Sequence, residues 1–209
     1  MFEKGLFLSD GWRYLLPLWG VTLVTLIVSD EIFLNLLLLA VSFIAGYIFY
    51  IPERVPFETS ASALIAPVDG IVSSIEKVDG KTLVKIDKSL FGASAVYSPI
   101  TGSVKSLNIK HGLFLDRSNP KSDYLNESGT IIYKWGEHLV KLYLKCGVYS
   151  LGLLNSLHKD RVTAGEFQLH MSDGTLTMEL PENIKIETTV GDRVLGGYSL
   201  LAYAKNVIA

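Results

Sequence analysis

One stretch of the chain, Glu166 to Pro181 (EFQLHMSDGTLTMELP), combines residue types that could carry out chemistry. Ser172 supplies a hydroxyl, and His170, two residues earlier, projects from the same face if the segment is a strand. A hydroxyl beside a histidine is the usual pairing of a nucleophile with its general base. The alternative is structural, because Asp173-Gly174 is a strong signal for a tight hairpin turn. The plain turn is the favoured interpretation.

Asp69, in the segment APVDG, is the second candidate for chemistry. The same segment is a turn sequence in which an aspartate side chain can hydrogen-bond to the local backbone, and this structural role is favoured. The four histidines are scattered without metal-ligand spacing, so no metal site is predicted, and His111 and His158 are expected to face solvent. The single cysteine, Cys146, lies in an apolar run and is predicted to be a small buried hydrophobe.

Two apolar segments near the N-terminus are candidates to anchor the chain in a membrane. They run from Arg13 to Ser29 and from Ile32 to Ile51, and the second has 20 residues without a formal charge, enough to cross a hydrocarbon core of about 30 Å. No small-x-small cleavage site follows, so a retained membrane hairpin over residues 1–51 is predicted rather than a signal peptide. The first segment contains a proline and a glycine, and either spans obliquely or only re-enters.

The charges around these segments predict the orientation. Lys4 and Arg13 precede the first segment, Arg54 follows the second, and the connection between the segments is acidic. The positive-inside rule then places both ends of the hairpin, and the rest of the chain, on the cytoplasmic side of the cell membrane. The net charge of −2 lacks the excess of lysine and arginine typical of nucleic-acid-binding proteins.

Residues 64–209, after a linker over 52–63, are predicted to form one mainly β domain. Short Val/Ile/Leu/Tyr runs alternate with Gly, Pro and Asp-Gly turns at spacings typical of a sandwich or barrel. Residues 150–161 (SLGLLNSLHKDR) are the one moderate helical candidate, and another strand is the alternative. The segment APVDGIV at 66–72 resembles SPITGSV at 98–104, which indicates a weak internal repeat. VGDRVLGG at 190–197 contains a third turn sequence. Repeats of this kind favour a barrel-sandwich fold with intertwined hairpins.

The order of these features resembles the short form of phosphatidylserine decarboxylase, over essentially the whole chain. YIPERVP is similar to the family's membrane-exit motif, and Asp69 falls on its catalytic aspartate. SPITGSV is similar to the segment that follows the family's catalytic histidine. Gly112 and Phe114 match its Gly-x-Phe, and Asn126-Glu127 matches the start of its Asn-Glu-Arg.

The departures from the family are as informative as the matches. Ser94 stands at the position of the family's histidine, and Ser128 stands where the arginine of Asn-Glu-Arg is expected. The family's Gly-Ser cleavage pair lies seven residues, serine to proline, before a Leu-Pro dipeptide. The same ungapped count from Pro181 reaches Asp173-Gly174, and Ser172 is displaced by two residues and preceded by Met171.

The resemblance implies a defined chemistry. The family decarboxylates phosphatidylserine to phosphatidylethanolamine with a pyruvoyl group, made when a serine attacks the carbonyl of the preceding residue. The pyruvoyl group then serves as the electron sink. That self-cleavage needs an open preceding residue, for which glycine is suited, and a base such as histidine. If this chain is active, the resemblance implies that Ser172 becomes the pyruvoyl group, with His170 and Asp69 as its catalytic partners.

Three functions follow from these observations. The first is a membrane-tethered, catalytically degenerate decarboxylase-like protein without a cofactor, which binds membrane phospholipid or pairs with itself or with an active decarboxylase. The second is an active, pyruvoyl-dependent phosphatidylserine decarboxylase with a divergent site at Ser172. The third is a tethered barrel-sandwich adaptor. A biotinyl or lipoyl carrier is disfavoured, because the tip at Asp173-Gly174 has no lysine and Lys81, after Asp79-Gly80, lacks flanking methionines. The joint loss of the histidine, the Gly-Ser pair and the arginine favours the first.

Overall fold

The computed structural model describes residues 11–88, 91–155 and 160–204. The chain forms two compact units, divided between Glu53 and Arg54. The first unit consists of two helices, α1 (Trp12–Val28) and α2 (Ile32–Phe49), so the predicted helical hairpin is present within it.

Polar groups join the two helices of the hairpin. The hydroxyls of Thr22 and Ser42 lie 2.8 Å apart, and both residues are buried. The Trp19 indole donates to the Ser42 carbonyl at 3.4 Å. Small hydroxyl residues at a contact between apolar helices allow close approach and a hydrogen bond, as in membrane-embedded pairs. By length and composition, α2 is long and apolar enough to span a membrane, while α1 is a shorter apolar helix.

The second unit is mainly β, as predicted. It contains one short helix, α3 (Ser122–Leu125), within its described residues. The strands are β1 (Ala63–Ile65), β2 (Gly70–Val78), β3 (Lys81–Lys88), β4 (Ala95–Tyr97), β5 (Gly102–Lys110), β6 (Ser128–Trp135), β7 (His138–Cys146), β8 (Leu154–Asn155), β9 (Arg161–Val162), β10 (Phe167–His170), β11 (Gly174–Leu180), β12 (Ile184–Ile186), β13 (Arg193–Val194) and β14 (Leu200–Ala204).

These strands form three antiparallel sheets. The largest has the order β13-β2-β3-β11-β7-β6-β5-β9, and two smaller sheets have the orders β1-β14-β12 and β4-β10-β8. Alternating strand residues point into one hydrophobic core, with Trp135, Tyr133 and Ile86 among its buried members. Cys146 is 1% exposed in this core, as predicted, and burial raises the pKa of its thiol to about 11.

The helical candidate over residues 150–161 is not helical where it is described. It contributes β8 and the first residue of β9, which confirms the strand alternative there. Residues 156–159, including His158, lie outside the described residues, as does Lys4 of the orientation argument.

The two copies of the internal repeat occupy equivalent positions in the β unit. Each repeat follows a short strand and opens a long one: β1 leads to β2, and β4 leads to β5. The residue before each repeat bonds to the proline of the other repeat: the N–H of Ile65 donates to the Pro99 carbonyl at 2.8 Å, and that of Tyr97 donates to the Pro67 carbonyl at 2.7 Å. This reciprocal bonding connects the two halves of the β unit.

Candidate functional site

Asp69 immediately precedes β2 and is 5% exposed. Its carboxylate forms a two-pronged ion pair with Arg54, whose Nη2 lies 2.9 Å from Oδ2. It also accepts the backbone N–H groups of Ala93 and Gly196, each at 2.8 Å. Burial alone would raise the pKa of Asp69, but hydrogen bonds from Arg54 and the two amides outweigh it, and the pKa is lowered.

The partners of Asp69 differ from those predicted. A local turn was expected, whereas the carboxylate joins amides 24 and 127 residues away in sequence. The approach to Ala93 depends on the preceding residue, Gly92, because a Cβ there would overlap the Asp69 side chain. Asp69 therefore ties three distant segments together, a role that a local turn signal cannot reveal.

Ser94, the residue at the histidine position of the resemblance, follows Ala93 directly and is 5% exposed. Its carbonyl accepts the backbone N–H of Met171 at 3.1 Å. This bond continues the pairing of β4 with β10, in which Ala95 faces His170. The fold thus brings Asp69, Ser94 and the residue before Ser172 into one connected region.

The segment Ser172-Asp173-Gly174 is not a hairpin turn, and that prediction is wrong. β10, which precedes it, pairs with β4 and β8, whereas β11, which follows it, pairs with β3 and β7. The segment therefore carries the chain from one sheet to another. The φ of Gly174 is +145°, and a Cβ at this position would overlap the Lys145 carbonyl, which explains the glycine without a hairpin.

Ser172 lies beyond the end of β10 rather than on it. Its hydroxyl donates to the carbonyl of Tyr149 at 3.1 Å and accepts the N–H of Leu151 at 3.2 Å. His170, the candidate base, is the last residue of β10 and is 0% exposed. The shared strand face expected for the serine and the histidine is therefore absent, because the strand ends between them.

Asp173 is 6% exposed, and its carboxylate is held from two directions. It accepts Nη2 of Arg117 at 2.9 Å and the N–H of Tyr149 at 3.1 Å. Arg117 also donates to the Gly174 carbonyl at 2.7 Å. Sequence reasoning treated Asp173 only as a turn residue and did not identify Arg117, which is 56 residues away in sequence.

Lys88, at the end of β3, is a third buried charge and is 3% exposed. Burial lowers the pKa of its ammonium to about 8, although the negative charges of Asp69 and Asp173 act in the opposite direction. Sequence reasoning missed Lys88, but a signal was present. It lies in phase with Val84 and Ile86, which also point into the core along β3.

The Asn-Glu pair of the resemblance has a structural role here. The Asn126 amide donates to the carbonyls of Leu115 and Cys146 at 2.8 and 2.9 Å. The Glu127 carboxylate accepts the N–H of Leu153 at 2.5 Å, and its other oxygen lies 3.0 Å from Nδ1 of His111. The His111 side chain is 83% exposed, so its predicted solvent-facing position is confirmed.

Within the described parts of the chain, no group of three or more His, Cys, Asp or Glu residues could hold a metal ion. The residues brought together are instead three cations and two buried carboxylates: Arg54, Lys88 and Arg117 with Asp69 and Asp173. We call this set the ion cluster.

The known proteins most similar to the chain in this comparison all carry the same name. The chain is 28% identical over 184 residues to a phosphatidylserine decarboxylase proenzyme of Ehrlichia ruminantium (strain Gardel), covering 83% of this chain and 81% of that protein. It is 25% identical over 202 residues to the proenzyme of Nitrosomonas eutropha, covering 92% and 83%. It is 26% identical over 170 residues to that of a Wolbachia from Brugia malayi, covering 75% and 74%.

No family model and no solved structure matches the chain. The relatives, however, agree with one another and align over most of the chain. The helical hairpin, the position of Asp69 and the β-rich architecture follow the same order as the resemblance read from the sequence. The similarity to these relatives, at 25–28% identity over most of the chain, supports a divergent relative of the phosphatidylserine decarboxylase family.

Proposed function

We propose that this protein is a membrane-tethered, catalytically degenerate relative of phosphatidylserine decarboxylase that acts by binding phospholipid or a protein partner. The observation that carries the proposal is the bonding of Ser172. Its hydroxyl is engaged on both sides by the backbone at Tyr149 and Leu151. A serine that attacks its preceding carbonyl needs a base to accept its proton, and here the proton points to a carbonyl oxygen.

The residue before the serine also supports this proposal. Met171 is 0% exposed, and its N–H is bonded to the Ser94 carbonyl. Among the described residues, Asp79 is the one non-glycine residue with a positive φ, so neither Met171 nor Ser172 carries that form of backbone strain. The residues present therefore do not fit the formation of a pyruvoyl group.

The ion cluster gives a further argument. Arg54 donates a hydrogen bond to the Asp69 carboxylate, and Arg117 donates one to the Asp173 carboxylate. Each of these two carboxylates is therefore occupied by an arginine, which favours its charged form and opposes its use as a proton acceptor. Helix α2 supplies the proposed tether, with the β unit on the cytoplasmic side, as the flanking charges predict.

The test is the mass of the purified full chain, since the relatives are named proenzymes and cleavage is the activity at issue. We expect a single species of about 23.0 kDa, identical in behaviour to a Ser172→Ala variant and unreactive towards carbonyl reagents. Two fragments divided before Ser172, with a blocked N-terminus on the smaller and one intact chain for the variant, would overturn the proposal. The protein would then be an active decarboxylase.

A further inference from the structure

Two corners of the β unit are built on the same plan. A second pair of similar segments accompanies the repeats at 66–72 and 98–104. DRVLGG at 192–197 goes with the first repeat, and DRVTAG at 160–165 goes with the second. The first pairs with β2 through β13, and the second pairs with β5 through β9. The glycines that end these segments, Gly197 and Gly165, have φ values of 72° and 79°. We name the two places the Asp69 corner and the Thr101 corner.

Each corner contains an equivalent hydrogen bond from the backbone to a side chain. In the first, the N–H of Gly196 donates to the Asp69 carboxylate at 2.8 Å. In the second, the N–H of Ala164 donates to the Thr101 hydroxyl at 3.1 Å. Thr101 therefore occupies the place of Asp69, and the second corner has a neutral hydroxyl where the first has a negative charge.

Two cations flank the Thr101 corner, and one carboxylate is also present, because Glu166 accepts the N–H of Thr163 at 3.0 Å. Ser103 on β5 lies opposite Lys134 on β6 and opposite Arg161 on β9. Directly paired residues of an antiparallel sheet project from the same face, about 5 Å apart at Cβ. A cation, a hydroxyl and a second cation thus form a row across three strands. The equivalent row of the Asp69 corner is Arg193, Ile71 and Asp87, in which an acidic residue is present.

A shallow cavity of about 470 Å³, open to solvent, lies over this row. Its lining consists of Thr101, Gly102, Ser103, Lys134, Gly136, Arg161, Val162 and Thr163. Over residues 11–88, 91–155 and 160–204, neither Lys134 nor Arg161 takes part in an ion pair. In the Asp69 corner, by contrast, the carboxylate itself neutralises Arg54.

We propose that the Thr101 corner is a binding site for a phosphate group. The planar guanidinium of Arg161 can donate two parallel hydrogen bonds to phosphate oxygens, and Lys134 supplies a point charge from the other side. The hydroxyls of Ser103 and Thr101 lie between them and can donate to the remaining oxygens. The cavity is larger than a bare phosphate, which leaves room for the group that carries it. The proposal rests on the proposed function only in naming a phospholipid headgroup as one source, and free phosphate is the other.

The experiment uses the full chain in neutral detergent micelles, titrated calorimetrically with inorganic phosphate. Lys134→Gln/Arg161→Gln should weaken phosphate binding at least tenfold, because both charge-assisted contacts are lost. The matched control is Lys77→Gln/Arg193→Gln, which removes one lysine and one arginine from exposed strand positions, Arg193 being the counterpart of Arg161 in the other corner. The control should bind phosphate as the unaltered chain does.

A second arm identifies the source. Micelles doped with phosphatidic acid should compete with phosphate if a lipid headgroup is bound, and micelles doped with oleate, an anion without phosphate, should not. Saturable phosphate binding without such competition would assign the site to a free phosphate compound. Absence of saturable binding, or equal weakening in the control, would overturn the proposal. Neither result would alter the mass of the chain, so failure here is distinct from failure of the proposed function.

Discussion

The backbone N–H of Met171 donates a hydrogen bond to the carbonyl of Ser94 at 3.1 Å. In the decarboxylase resemblance, Ser94 stands at the position of the catalytic histidine, and Met171 immediately precedes the candidate serine. The fold therefore places the position that the resemblance aligns with the histidine beside the residue before Ser172. This proximity comes from the pairing of β4 with β10, so it depends on the sheet and not on the types of these side chains.

The two aspartates that contact Arg117 should differ sharply in their effect on stability. Asp173 is 2.9 Å from Arg117 with a side chain 9% exposed, and Asp87 is 3.6 Å away with a side chain 40% exposed. Asp173→Ala should lower the free energy of unfolding by about 1–2 kcal/mol, because the hydrogen bonds from Arg117 and from the Tyr149 N–H are lost. Asp87→Ala should change it by less than about 0.5 kcal/mol. Urea unfolding in detergent measures both, and equal effects would contradict the buried role of Asp173.

Asp69 should contribute to stability in a pH-dependent way. Its pKa in the folded protein is lowered below the ordinary value of 3.8, so its contribution is complete above that value and is lost as the pH falls through the folded pKa. Asp69→Asn should be less stable than the unaltered chain at neutral pH, and the difference should shrink on acidification below about pH 4. Thermal unfolding of both chains between neutral and acid pH measures this.

Asp79→Asn is the matched control for Asp69, because Asp79 is exposed in the β2–β3 turn at a φ of 49°, which asparagine tolerates. It should unfold like the unaltered chain throughout. A difference between Asp69→Asn and the unaltered chain that stays constant with pH would show that the carboxylate charge is not what holds the three segments together.

Lys88 should make the protein more stable in alkali. Its folded pKa of about 8 is below the ordinary 10.5, so its charged form is disfavoured in the folded state. The resulting cost is complete below pH 8 and disappears as the pH rises to about 10.5, a gain of up to about 3 kcal/mol. Cys146, whose raised pKa acts in the opposite direction, is common to all chains, so the difference from the unaltered chain isolates Lys88. For Lys88→Met this difference should change between pH 8 and about 10.5, whereas for Lys77→Met, at an exposed position, it should stay constant. Identical pH profiles for the two variants would refute the assignment.

Helix α2 should be responsible for membrane association. Val41 lies near its middle and is 42% exposed, so Val41→Arg places a charge near the centre of an apolar helix at a cost of about 3 kcal/mol for insertion. The fraction of protein that resists carbonate extraction from membranes should fall several-fold. Val78→Arg, which changes a similarly exposed valine at the end of β2, should leave that fraction unchanged. If both variants remain fully membrane-bound, α2 is not the sole anchor.

The sequence by itself determined the elements whose signals are local. The apolar run from Ile32 predicted α2 within two residues of its observed end, because uninterrupted hydrophobicity needs no partner to be recognised. The alternation along β3, β6 and β11 gave these strands their buried faces. The repeat of Pro67 and Pro99 predicted intertwined halves, and the residues around both prolines are indeed bonded to each other.

Only the tertiary structure decided what the charged and polar residues do. Ser172-Asp173-Gly174 reads locally as a hairpin, but β10 and β11 join different sheets, and this pairing depends on strands far away in sequence. The partners of Asp69, Asp173 and Lys88 likewise come from segments that no local pattern connects. A buried charge is stable only where distant groups converge to neutralise it, so its role follows from the packing of the whole unit rather than from its neighbours in the chain.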